Sequence, residues 1–345
     1  MKQIRFIENK KILWVDRDRA VFARGYILYS SPLSNSGWKR IGVITDGINS
    51  FLSHFSLTRR FTRAEITRYY SLGDGTELCI ARKGIFRRDK GEKRFKKTFN
   101  VLRGSRPMNI CEGIDGTLYF GEYFANMEKL PVHIYKSADS GRSWEVVYTF
   151  PKGSINHIHG IFFDPYTQWL WLATGDRENE CVIGYTKDGF KTLNEVFRGG
   201  QEYRTCVLFF YRDFIVFGTD SQYIKNTIKR FDRASQTVED LQPVQGPIIK
   251  GTQIGDFAMV STDVEPSDVN KDNKAYIWFS KNGVHWETLY SAEKDWLNPT
   301  LFQFGVFDLP QYESGYSGNK FFATGKALKG CGGDTIVFED ICTNN

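Results

Sequence analysis

The sequence predicts an all-β fold, a seven-bladed β-propeller with six blades as the alternative, and three observations predict it. The composition is turn-rich and aromatic: 32 Gly against 10 Pro, with 28 Phe, 17 Tyr and 8 Trp in 345 residues. That balance favours short strands over long helices. Next, one pattern recurs, an apolar strand followed by a second strand that ends in a small residue and then Thr or an acid. The endings are Phe120-Gly121-Glu122-Tyr123, Leu172-Ala173-Thr174-Gly175-Asp176, Phe217-Gly218-Thr219-Asp220, Val260-Ser261-Thr262-Asp263 and Phe322-Ala323-Thr324-Gly325, with a weaker copy at Ile80-Ala81-Arg82-Lys83. Finally, successive copies are spaced by roughly 40–50 residues, the length of a four-stranded propeller blade.

The blades are expected near 12–48, 65–100, 106–150, 156–198, 203–244, 249–291 and 300–341, in a single domain spanning 1–345. The last has three strand candidates, Phe302–Leu309, Lys320–Thr324 and Thr335–Glu339. Its fourth is expected from the N-terminal Gln3–Glu8, which would close the ring and remove exposed edges. The segment 49–64 lacks strand alternation and reads as a short helix or a loop over one face.

A turn motif follows several of these strand pairs. Ser137-Ala138-Asp139-Ser140-Gly141-Arg142-Ser143-Trp144 is its full form, and Thr186-Lys187-Asp188-Gly189-Phe190-Lys191-Thr192 and Ser280-Lys281-Asn282-Gly283-Val284-His285-Trp286 are degenerate copies. Asn35-Ser36-Gly37-Trp38 is a remnant. The acid or amide caps turn N–H groups, Gly supplies a positive φ and Trp packs back between blades, so the motif is a folding device with no catalytic part.

Charge narrows the function. The net charge is +6, yet the densest basic stretch, Arg87 to Lys97, is broken by Asp89 and Glu92 and reads as a solvated hairpin, so no nucleic-acid partner is expected. No window approaches the roughly 18 apolar residues of a membrane span. The segment Met1–Lys10 lacks the apolar core of a secretory signal, so a cytoplasmic chain is expected. Six unclustered cysteines (Cys79, Cys111, Cys181, Cys206, Cys331 and Cys342) read as free thiols in a reducing compartment.

In a propeller, residues that start innermost strands and residues that end second strands converge on one rim, the default binding site of the fold. Here the starts bring Arg106, Asn109, His157, His159 and Arg204, with Arg63 or Arg68. The ends bring Arg82, Glu122, Tyr123, Asp176, Asp220 and Asp263, with Glu180, Gln201, Glu202, Tyr203 and Glu265 nearby. His157 and His159 are two of only five histidines, and a spacing of two places both on one side of a strand. They read as ligands for a divalent metal, as a general base with its neighbour, or as hydrogen-bonding groups between blades. Arg106 and Arg204, with Arg82 as a third, suit a carboxylate, because a guanidinium forms a rigid two-pronged fork. Glu122 and Asp176 read as a carboxyl pair for glycoside chemistry, Tyr123 as nucleophile or proton donor, and Asp220 and Asp263 as substrate contacts. The competing reading of all these charges is an inter-blade salt-bridge network.

Repeat and turn motif together resemble the sialidase-like, bacterial neuraminidase (Asp-box) repeat propellers. The resemblance implies a carbohydrate-active protein acting on an acidic, uronate- or sialate-type oligosaccharide or polysaccharide at the axial mouth, as a glycoside hydrolase or a polysaccharide lyase. Non-catalytic glycan- or protein-binding scaffolds also belong to that group. The early Arg-Ile-Pro motif of sialidases is echoed by Ser105-Arg106-Pro107-Met108, in the third blade rather than the first, while His157, His159, Tyr123 and Arg204 suit the composition of propeller lyases.

Overall fold

The computed structural model describes residues 3–34, 37–339 and 341. Asn35 and Ser36 of the turn remnant, Cys342, and Met1 and Lys2 at the start of the chain lie outside the described residues. The chain is an all-β propeller built of antiparallel meanders. Four are independent four-stranded sheets in sequence order, running from Cys111–Glu112 to Glu145–Phe150, from His157–Phe163 to Asn194–Arg198, from Thr205–Phe210 to Val238–Pro243 and from Ile248–Ile254 to Trp286–Glu293. A fifth contains Val306–Asp308, Lys320–Lys326 and Thr335–Glu339, and the N-terminal Gln3–Ile7 is its outermost strand, paired residue for residue with Glu339–Thr335.

The remaining sheet has nine strands. It joins the meander Lys11–Val15 to Lys39–Ile44 with the meander Arg68–Ser71 to Arg94–Asn100, through parallel pairing of Val43 with Arg94 and Ile44 with Phe95. A ninth strand, Gln311–Tyr312, pairs with Trp14 and Val15. Nothing in the repeat announced either junction. The segment 49–64 is mostly helical, with Gly47–Leu52 and Ser56–Thr62. Phe302 closes a short helix, Pro299–Phe302, so the innermost strand of the last sheet starts at Val306 and not at Phe302 as expected. Among the described residues no helix is long and apolar enough to cross a membrane.

Burial falls toward the outermost strand, most clearly in the sheet that starts at Thr205. Thr205–Phe210 is buried throughout, whereas Val238–Pro243 in the same sheet has no buried residue. Inner strands are covered on both faces, which is why they read as continuous apolar runs. The small residue of the repeat has a packing cause. A Cβ on Gly121 would lie 2.4 Å from Ile158 of the next sheet, and one on Gly218 would lie 2.5 Å from Ile248, so glycine lets adjacent sheets approach. The following threonine ties down the third strand: Thr174, Thr219 and Thr262 Oγ1 accept the N–H groups of Val182, Thr227 and Tyr276 at 2.8–3.0 Å.

The turn motifs behave as local chemistry demands. Asp139 Oδ1 accepts the N–H groups of Arg142 and Ser143 at 3.1 and 2.9 Å, Gly141 has φ +81°, and the Trp144 ring packs on Phe99 and Phe120. Asp188 Oδ1 accepts from Thr192 N at 2.9 Å, and Asn282 Oδ1 from Val284 and His285 N at 3.0 Å, in the equivalent connections of two other sheets.

Candidate functional site

Backbone irregularity shapes the site first. In the sheet that starts at His157, Ile158 pairs with Thr174 and Gly160 with Ala173, so His159 is the extra residue of a β-bulge. The alternation that would align His157 and His159 is therefore broken, and the bulge is what re-aims the His159 ring. Comparable register shifts lie between Ile12 and Trp14, Thr205 and Leu208, and Ile248 and Lys250, all in innermost strands. Gly175 leaves room for the ring, because a Cβ there would lie 2.4 Å from His159 Cε1.

Two imidazoles, two carboxylates, a guanidinium and a thiol meet here. His157 Nε2 and His159 Nε2 lie 3.1 Å apart, and each approaches Asp176 Oδ1, at 3.3 and 3.2 Å. Asn156 Nδ2 donates to Asp176 Oδ2 at 2.9 Å, and Arg204 Nη2 lies 3.1 Å from Oδ1. Arg204 Nε also reaches Asp220 Oδ2 at 3.5 Å, and the Cys206 thiol donates to the same oxygen at 3.3 Å. The Tyr123 ring lies 4.3 Å from that of His157. Both histidines are buried, whereas the Asp176 side chain is 34% exposed, so the cluster opens on its carboxylate side. Burial would raise the Asp176 carboxyl, but hydrogen bonds to His157 and His159 outweigh it and hold the group far below the usual carboxylate range. Burial pushes Asp220 up and, with Glu265 and Asp220 as like charges, pushes Asp263 well up. Asp263 Oδ1 has no hydrogen-bond partner.

Across the mouth lies a basic cluster. Lys11 sits 2.8 Å from Asp308 and 3.6 Å from Glu65, Lys326 sits 2.6 Å from Glu65 and 3.4 Å from Asp308, and Lys250 reaches Asp308 only at 3.7 Å. Burial, with Arg68, Lys326 and Arg106 as neighbouring positive charges, lowers the Lys250 ammonium to about 7. Arg106 is half-buried and makes no hydrogen bond among the described residues, and its charge is felt by Tyr123 and by Lys250. Lys11, Lys250, Lys326 and Arg106 thus gather at Glu65 and Asp308, with Asp263 also felt by Lys250 and Lys326. A cavity of about 100 Å³ opens beside them, lined by Lys11, Arg59, Glu65, Asp308 and Lys326. A larger one of about 380 Å³ is walled by innermost strands, with Arg68, His159, Cys206 and Gln253 among its lining.

Of the residues singled out from sequence, the structure brings together His157, His159, Tyr123, Asp176, Arg204 and Asp220, with Asp263 and Arg106 electrostatically linked to them. The Glu122–Asp176 carboxyl pair does not assemble: Glu122 is gripped by Arg103 through both carboxylate oxygens and accepts the His133 N–H at 2.9 Å. Arg204 is committed to Asp176 and Asp220, so its fork is not free for a ligand. Arg82 donates to Asn49 Oδ1 at 2.7 Å, on the helical segment. Lys11, Glu65, Lys250, Asp308 and Lys326 escaped the sequence reading, as did Cys206 in any polar role. Lys11 and Lys250 stand at or near the start of innermost strands, so the rim rule held the signal for them.

No family model matches the chain, and no curated protein does. Solved structures show the fold. YCF48 bound to D1 peptide matches with TM-score 0.57 at 12% identity over 98% of this chain and 96% of that one. The GH74 xyloglucanase from Xanthomonas campestris matches with TM-score 0.57 at 12% identity over 84% of this chain but 47% of its own. A chain of the mitotic checkpoint complex matches with TM-score 0.57 at 10% identity over 97% of this chain and 93% of that one. The likeness is to the β-propeller fold, which both glycosidases and protein-binding chains adopt. The chain spans less than half of the xyloglucanase.

Proposed function

We propose that this chain, read as seven blades with the first two sharing the nine-stranded sheet, is a carbohydrate-active propeller that cleaves an acidic, uronate-type saccharide at its axial mouth by β-elimination. The observation that carries the reading is the gathering of basic groups at Glu65 and Asp308: three lysines and Arg106 meet these two carboxylates, which leaves room for a ligand's anionic group. Arg106, which makes no hydrogen bond among the described residues, supplies the fork for a carboxylate. Neutralising that carboxylate acidifies the neighbouring C–H. Lys250 takes the proton, since an amine lowered to about 7 is partly neutral at neutral pH. Tyr123, whose phenol burial pushes up, keeps its proton and gives it to the leaving oxygen. The C–H and the C–O bonds break, a C=C bond forms, and no water is consumed. Hydrolysis is the weaker version, because Glu122 is tied to Arg103 and Asp176 is held ionised.

A second reading, a non-catalytic propeller that binds an acidic peptide or glycan, is supported by the near-equal length of the peptide-bound YCF48 chain. One experiment separates the two. Uronate-containing oligosaccharides are incubated with the protein while ultraviolet absorbance and reducing ends are followed. Elimination raises both together, and Lys250→Ala abolishes the rise. Reducing ends without absorbance would mean hydrolysis; neither signal, with calorimetric binding retained, would mean the binding reading.

A further inference from the structure

The Nδ1 atoms of the two buried histidines are both spoken for. His157 Nδ1 lies 2.9 Å from the Phe124 carbonyl and, less closely, 3.2 Å from Asn156 Nδ2, which donates to Asp176 Oδ2 at 2.9 Å; His159 Nδ1 lies 2.9 Å from the Thr205 carbonyl. A carbonyl oxygen only accepts, so each Nδ1 carries the hydrogen. In the neutral rings each Nε2 then offers a bare lone pair. These two lone pairs point into one small triangle with Asp176 Oδ1, with edges of 3.1, 3.2 and 3.3 Å. With both rings neutral, three acceptors face one another and repel; the lowering of Asp176 by the two histidines needs a positive group between them, a proton or a cation. Something positive belongs at their centre.

From this convergence we infer that His157, His159 and Asp176 form a binding site for one divalent first-row transition ion. The edge lengths fit such an ion. Bonds of about 2.0–2.1 Å to nitrogen and oxygen place neighbouring ligand atoms roughly 3.0–3.4 Å apart in octahedral or tetrahedral geometry. The surroundings fit as well. Metal-bound imidazoles donate their other N–H to a carbonyl or carboxylate, and ligating carboxylates are themselves hydrogen-bonded. Here Asn156 donates to Asp176 Oδ2, and Arg204 forms an ion pair with Oδ1 at 3.1 Å. Two imidazoles with one carboxylate is the donor set of open sites for Zn²⁺, Fe²⁺ or Mn²⁺, and the exposed side of Asp176 leaves coordination positions free. Charge agrees too: Asp176 and Asp220 both pair with the single guanidinium of Arg204, and the ion would add positive charge beside Asp176. The inference stands on the geometry and depends on the elimination reading only for its consequence, which is that a ligand carboxylate would complete the coordination shell.

The test is metal uptake without any substrate, so its outcome is independent of whether saccharides are cleaved. Tag-free full-length protein is stripped with a chelator, dialysed and titrated with Co²⁺. The expected result is one equivalent bound with visible d–d bands, and Zn²⁺ displacing it. His159→Gln and Asp176→Asn should each weaken binding at least 100-fold while keeping the wild-type circular dichroism, and His133→Gln should leave it unchanged. If either cluster variant misfolds, the His-ring ¹⁵N shifts of the wild-type chain serve instead: the Nε2 signals of two residues should move on adding Zn²⁺. No uptake at millimolar Co²⁺, uptake unaltered in both cluster variants, or unmoved Nε2 signals would overturn the site and leave a proton shared within the triangle.

Discussion

One wall carries Arg204 among Asp176, Asp220 and Glu265; the other carries Lys11, Lys250, Lys326 and Arg106 at Glu65 and Asp308, and Asp263 is electrostatically linked to both. Both walls are built from strand ends of the same repeat, yet their charge imbalances are opposite. An internal salt-bridge network would have settled nearer balance on each side, because an uncompensated buried charge is costly. The difference is what the two proposals rest on: an anion at the basic wall, a cation at the acidic one.

The comparison is most sharply broken at Asp308, which three lysines approach. Asp308→Asn leaves those ammonium groups with Glu65 alone, and the expected loss is about 3–5 kcal/mol in urea unfolding. Asp176→Asn should cost clearly less, since that side chain meets solvent. Equal losses would show that burial does not separate the walls. Next in size is Arg106→Ala. It is expected to weaken calorimetric binding of a uronate oligosaccharide by roughly 10–100-fold, the worth of one charge-assisted hydrogen bond, with unfolding unchanged. A drop in stability without a drop in affinity would make Arg106 a structural group.

A third effect is pH-dependent. Lys250 has a folded value of about 7 against an ordinary 10.5. Between these values the unfolded chain holds a proton that the folded chain lacks, so this group makes stability rise with pH across that window and is a full penalty below it. The slope from one proton is up to about 1.4 kcal/mol per pH unit. Lys250→Met should flatten the wild-type stability profile between pH 7.5 and 9.5; an unchanged slope would refute the lowered amine. The smallest effect probes the frame that holds both walls. Gly141 has φ +81° and a Cβ would meet Leu78 at 2.9 Å, so Gly141→Ala should lower stability by about 1–2 kcal/mol in thermal unfolding and leave ligand affinity untouched.

The sequence carried the strand repeat because its causes are local: glycine where sheets touch, threonine where a third strand begins, an acid or amide where a turn needs capping. The same locality made His157, His159, Asp176 and Asp220 readable, each sitting at a fixed place in its repeat. The reach of long side chains was not readable. Glu122 occupies the right strand end, but Arg103, nineteen residues earlier, claims it. Lys326 and Asp308 lie within the last sheet, and only the three-dimensional ring shows that they meet Lys11 from the first meander and Glu65 from the helical segment. The fusion of two meanders into nine strands was hidden for a related reason, since two parallel pairs between distant edges leave no periodic trace.

Closure of the last sheet by Gln3–Ile7 has a consequence for assembly. The basic wall takes Lys11 from beside that closing strand and Lys326 from the strand next to its partner, whereas the imidazole wall is drawn from consecutive meanders in mid-chain. During synthesis the imidazoles and their carboxylates are all available before Thr335–Glu339, the strand onto which Gln3–Ile7 latches, has emerged. Anion capture is then a late property of the maturing polypeptide, and its onset would report the moment at which the two distant segments zip together.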